Sequence, residues 1–164
     1  MTTGDFDPQP GQYGEAGGSP PPPTGQEPGG LVLRFVARII DGIIVGIVSY
    51  ALIFLTDTLS NIIVTGLFTG LLTFVYFVGF EVTQGWTPGK KLLGLSVRGP
   101  GGAPKPSAQQ SAIRNSWTLL PIIPFVGGLL GFIAIIVIAV TINGSPTKQG
   151  KHDELAGGTQ VVKG

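Results

Sequence analysis

Three long apolar stretches constrain this chain more than any other feature. The first runs from Leu31 to about Leu55 and carries Arg34, Arg38 and Asp41 in its first half. The second runs from Ile62 to Phe80 without a charge and is followed by Glu81, and the third, Leu119 to Ile142, is also uncharged. A helix needs about 20 apolar residues to cross roughly 30 Å of hydrocarbon. Stretches two and three reach that length, and stretch one reaches it if its charged start lies at the interface. A 164-residue chain has too little polar surface to cover three such helices in water. Only 12% of its residues are charged, about half the ~25% usual for soluble domains. The expected fold is an all-α membrane protein of three to four transmembrane or re-entrant helices. The lipid bilayer is its first expected partner.

The first 30 residues differ in kind. They hold seven Pro, eight Gly and four acids, with no Lys or Arg, and include the run Ser19-Pro20-Pro21-Pro22-Pro23. So little apolar surface cannot offset the entropy of ordering, so a disordered N-terminal tail with local polyproline II character is expected. A sharper reading makes it a docking arm for other membrane proteins that read proline runs. It lacks the basic start and apolar centre of a signal peptide. The expected division is a tail over 1–30 and a transmembrane domain over 31–163.

Basic residues set the orientation. The loop Thr56–Asn61 has none, whereas 82–117 holds Lys90, Lys91, Arg98, Lys105 and Arg114. The excess of Lys and Arg on cytoplasmic loops then places the N-terminus and 82–117 inside, in a multi-pass protein of the cytoplasmic membrane. Stretch three has two readings. A single crossing would put Lys148, Lys151 and Lys163 outside. Pro121, Pro124 and Gly127-Gly128 interrupt it, and proline ends or kinks a helix. The alternative is a hairpin: a helix near Ser107–Leu120 enters, the chain turns over 121–128, and Leu129–Ile142 returns. Leu93–Arg98 and Thr159–Lys163 read as short strands that could pair only on one side, as a short cytoplasmic β pair. Gly42/Gly46, Gly66/Gly70 and Gly127/Gly131 place glycines one turn apart, a spacing that lets helices approach closely, here expected within the chain.

Arg34, Arg38 and Asp41 share one helix face. An ionised Asp41 about 10 Å past Arg34 is costly in lipid unless paired. Arg38, one turn earlier, is its expected ion-pair partner. A second reading makes Asp41 a titrating group on an ion pathway. Glu81 reads as an interfacial residue. Lys90 and Lys91 are expected at anionic headgroups, and Trp86 and Trp117 in the aromatic belts. Gly85–Lys91 lacks the spacing of a phosphate loop, and the internal His152-Asp153-Glu154-Leu155 is no retention signal. With no cysteine and a single His152, no metal site, cofactor or catalytic set is expected, so the chain is not read as an enzyme. Nucleic-acid binding is not expected either, because topology already accounts for the basic residues.

Three segments resemble the RDD family of bacterial membrane proteins: Arg34 to Asp41, Thr87 to Val97, and Lys148 to Val162. The family takes its name from one Arg and two Asp, which the resemblance maps onto Arg34, Asp41 and Asp153. It covers about 31–163 and leaves the tail outside, as an extension of a kind often fused to this domain. The family has no settled molecular function, and a transport role has been proposed for it. The resemblance suggests that Arg34 ties the first helix to Asp153 while Arg38 neutralises Asp41. Exchanging the charges at 34 and 153 is then expected to rescue either single change. Two functions remain: an accessory or scaffolding membrane protein, and a small transporter or cation/proton exchanger using Asp41.

Overall fold

The computed structural model describes residues 26–164. Helix α1 (Leu31–Leu55) runs its full apolar stretch. After the loop 56–61, Asn61 caps α2 (Ile62–Gln84), accepting from the backbone N–H groups of Ile63 and Val64 at 3.2 Å each. A short helix α3 (Pro88–Leu92) follows, then α4 (Ala108–Asn115), which runs directly into a 3-10 helix, Ser116–Ile122. Helix α5 (Gly127–Gly144) and the short α6 (Lys151–Leu155) complete the helices. Helices α2 and α5 are each long and apolar enough to cross a membrane.

A three-stranded antiparallel sheet caps one end of the bundle, with β3 (Gln160–Lys163) between β1 (Glu27–Pro28) and β2 (Leu95–Arg98). Val97 faces Val161 and Glu27 faces Lys163 across the ladders. Leu95, Val97 and Val161 pack with Ala37 of α1 in a small apolar core. The two strands expected from the sequence therefore pair. Glu27 and Pro28, placed in the tail by composition, instead form the third strand, and Gly29 N–H donates to Val161 O at 2.8 Å. The rest of the tail, residues 1–25, lies outside the described residues.

Stretch three is a hairpin. Glu81 of α2 meets Ser111 and Asn115 of α4. One level further from the sheet, Gly70 lies against Thr118 and Ile122, and Gly66 against Pro121. The arm 107–122 thus runs antiparallel to α2 over 15 residues of that helix, about 22 Å. The chain turns at 123–126, where Phe125 takes a φ of 65°, and α5 returns. Thr141 Oγ1 then accepts from Lys151 N–H at 3.0 Å, bringing the end of α5 back beside the sheet. The 3-10 winding makes the thin hairpin feasible, because it rises ~2.0 Å per residue against 1.5 Å in an α-helix.

The glycine pairs divide. A side chain at Gly66 or Gly70 would strike the 3-10 arm, with Pro121 O and Ile122 Cγ1 at 2.6 and 2.8 Å from an added Cβ. Gly42 and Gly46 have nothing within 4 Å, so the close packing expected of that pair does not occur in this chain. They lie on the outer face of α1.

Polarity is distributed inside out. The buried stripe of α1 is Arg34, Ala37, Asp41, Val45, Ser49 and Ile53, at steps of three or four residues. Its outer face presents Ile43, Ile47 and Phe54, with Ile47 67% exposed while Asp41 is 0% exposed. Helix α5 likewise exposes Leu129, Phe132 and Val140. Large aliphatic side chains outward and charges inward is the arrangement that lipid, not water, stabilises.

Candidate functional site

The interior at the capped end is built from three carboxylates, one from each of α1, α2 and α6, all fully buried: Asp41, Glu81 and Asp153. Each is held by donors from elements far away in sequence.

Asp41 is clamped by the segment after α2. Tyr76 Oη donates to Oδ1 at 2.8 Å, Thr87 Oγ1 donates to Oδ2 at 2.5 Å, and Gly89 N–H donates to Oδ1 at 2.8 Å. The local sequence explains the last two. Thr87 is the N-cap of α3, with Pro88 at its first turn, so Thr87 and the N–H of Gly89 both point at the carboxylate. Only glycine fits at 89, because a Cβ there would collide with Ala37 O and with the Asp41 carboxylate. The expected Arg38–Asp41 ion pair is absent. The Arg38 guanidinium instead lies 3.5 Å from the Phe77 ring centroid and 4.6 Å from that of Trp117. Proximity along the helix lost to the three donors and to two aromatic faces.

Asp153 anchors the cap, as the mapped family charges suggest. Arg34 Nη1 donates to its Oδ2 at 3.0 Å, while Arg34 Nε and Nη2 donate to Gly29 O and Val161 O at 2.9 and 3.3 Å. One guanidinium therefore ties α1 to α6 and to the sheet. Thr159 Oγ1 and Gly150 N–H also donate to Asp153, at 3.1 and 3.2 Å. Arg114 of α4 approaches it at 3.3 Å.

Glu81 and Arg114 are the residues of this buried cluster that sequence reasoning missed. Glu81 accepts from Lys90 Nζ at 2.5 Å and from Ser111 Oγ and Asn115 Nδ2 at 2.9 Å each. Arg114 Nε lies 3.9 Å from it, so Arg114 bridges the carboxylates of α2 and α6. Ser111, Arg114 and Asn115 form the buried face of α4, and their three- and four-residue spacing was the available signal. Lys90 is correspondingly not at the headgroups but 8% exposed inside. Lys91 is exposed and lies 4.0 Å from the Trp86 ring centroid. Trp117, expected in an aromatic belt, is a half-buried wall beside Arg38.

Burial and charge work against each other here. Burial lowers Lys90 to about 8, although Glu81 partly offsets it. Burial alone would raise the Asp153 carboxyl; the charges of Arg114 and Arg34 outweigh it and hold that group well below the usual carboxylate range. The His152 imidazole, beside Asp153, is lowered by burial to about 4.

Two expectations follow. Between pH 6.5 and 4 the unfolded chain protonates His152 and the folded chain does not. Stability should therefore fall as pH drops through that window, by on the order of 3 kcal/mol, and Asp153 adds to the loss below it. Thermal unfolding in detergent against pH checks this, and His152→Gln should flatten the upper part of the curve. The second concerns Arg34 and Asp153. Exchanging their charges should not rescue folding, contrary to the reading of an isolated pair. An arginine at 153 would face Arg114 and two hydrogen-bond donors, and an aspartate at 34 would face the carbonyls of Gly29 and Val161. Membrane abundance of the double variant should be no higher than that of either single one.

The sequence model of the RDD family matches residues 28–157. No curated protein and no solved structure matches the chain. The family match starts inside β1, and contains all three buried carboxylates and the cations that hold them.

Proposed function

This chain belongs to the RDD family of membrane proteins, and from that premise we propose that it is an accessory or scaffolding protein of the bacterial cytoplasmic membrane, without catalysis of its own. The observation that carries this reading is the saturation of its buried carboxylates. Asp41 already accepts three hydrogen bonds, and Glu81 and Asp153 are each held by a cation and neutral donors. Such charges act as architecture: they lock three chain passages, α1, α2 and the α4 arm, and a cap into one arrangement.

The orientation is a multi-pass protein with its capped end in the cytoplasm. All ten Lys and Arg lie toward that end, whereas the loop 56–61 at the other end carries only Asp57. Gln26, the first described residue, lies at the capped end next to β1, and the proline run that precedes it in sequence would serve to hold a cytoplasmic or membrane partner. A second reading keeps one support: Asp41 lines the internal cavity, so an exchanger would load there. Proteoliposomes test the choice. Wild type and Asp41→Asn should show the same proton and sodium fluxes as each other and as protein-free vesicles. Flux present in wild type and lost in Asp41→Asn would establish the exchanger instead.

A further inference from the structure

A cavity of ≈ 180 Å³ lies among α1, α2, the α4 arm and α5 near the capped end. Its lining is of two kinds. Arg34, Arg38, Lys90 and Arg114 line it together with the carboxylates Asp41 and Glu81, and Ile135, Ile138 and Ile142 of α5 supply an aliphatic lining. Three of these cations are already committed. Arg34 and Arg114 pair with Asp153, and Lys90 pairs with Glu81. Among the described residues Arg38 makes no ion pair and donates no side-chain hydrogen bond. Phe77 and Trp117 hold its plane, and a stacked guanidinium keeps its edge N–H groups free for an oxyanion. Four cations face the three carboxylates Asp41, Glu81 and Asp153, leaving one positive charge in excess.

The cavity reaches the apolar surface of the helices through its exposed lining residues Phe35 of α1 and Ile135 of α5. Helices α1 and α5 touch sparsely. A hydrated small anion gains nothing on that route, because it must shed water against hydrocarbon. An anionic group on an alkyl chain keeps its chain against the aliphatic surface while its head reaches Arg38. We propose that this cavity binds the anionic head of an amphiphile, a phosphate- or carboxylate-bearing lipid. Arg38 is its principal ligand, and the α5 wall takes the first methylenes of the tail. The inference concerns a site that the scaffolding reading does not use, and it stands whether or not a partner binds the tail.

Quenching of Trp117 tests it. Full-length protein carrying Trp86→Phe, in a neutral maltoside detergent, is titrated with brominated-chain phosphatidylglycerol and, separately, brominated-chain phosphatidylcholine. Phosphatidylglycerol should quench saturably at about tenfold lower concentration. That factor corresponds to one charge-assisted contact. Arg38→Gln should weaken it about tenfold. Ala139→Phe, which fills the cavity from α5 and leaves the charges in place, should weaken it similarly, and it decides alone if Arg38→Gln does not fold. Inorganic phosphate should not displace the lipid. Equal quenching by the two lipids, phosphatidylglycerol binding unchanged in Ala139→Phe, or displacement by an equal concentration of inorganic phosphate would each overturn the proposal.

Discussion

Asp153→Ala should destabilise the protein by roughly 3–5 kcal/mol, the range for breaking a buried ion pair by removing one partner. The carboxylate is fully buried and meets Arg34 from α1, Arg114 from α4, Thr159 and the N–H of Gly150. Its removal leaves two buried guanidinium groups facing each other with no anion between them. It also removes the contact that closes α6 over α1. The loss should therefore be concentrated in the cap: β3 and α6 should become sensitive to protease at temperatures where α2 and α5 remain folded. Thermal unfolding in detergent with limited proteolysis measures both effects. Glu154, exposed and paired only with Lys151 at 2.9 Å on the surface, serves as the contrast. Glu154→Ala should cost at most about 1 kcal/mol, as exposed pairs do.

Gly89→Val is the second large effect, and it works through sterics. The first added carbon already collides with Ala37 O and the Asp41 carboxylate. Helix α3 must then move away from α1, and Asp41 loses the N–H of Gly89. Overpacking costs about 1–3 kcal/mol, and a lost bond to a buried charge costs about 1.5–3 kcal/mol more. A loss of roughly 3–5 kcal/mol is expected, visible as a fall in the unfolding midpoint and in membrane abundance. Gly42→Ala provides the control on the same stretch of α1. It has nothing within 4 Å, so it should be neutral or slightly stabilising, since alanine costs less backbone entropy in a helix.

Much of this fold was legible because apolar length and turn chemistry are local signals. Stretches of lipid-compatible length, the break at Pro121–Gly128, and the strand pair Leu95–Arg98 with Gln160–Lys163 all follow from residues adjacent in sequence. So does the face shared by Arg34 and Asp41. The choice among partners was not legible. Spacing shows that Arg38 can reach Asp41, but it cannot show that Tyr76, Thr87 and Gly89 supply better donors while Phe77 and Trp117 offer Arg38 two faces. Glu81 at the end of an apolar run reads as an interfacial residue. Only the return of α4 across it, with Ser111 and Asn115, turns it into a core residue. The strand Glu27–Pro28 was hidden for a different reason. A segment rich in Pro and Gly has no strand propensity, and it is ordered only because β3 offers a free edge.

The fold turns its apolar side chains to lipid and its charges inward. Spin labels placed singly along α1 in bilayer vesicles test it most directly, by their relative access to oxygen, which concentrates in lipid, and to a water-soluble nickel complex. Labels at Ile43, Ile47 and Phe54 should be open to oxygen and shielded from nickel, and labels at Val45 and Ser49 should be shielded from both. Nickel access at Ile43 and Ile47 equal to that of a label in the loop 56–61 would contradict the account.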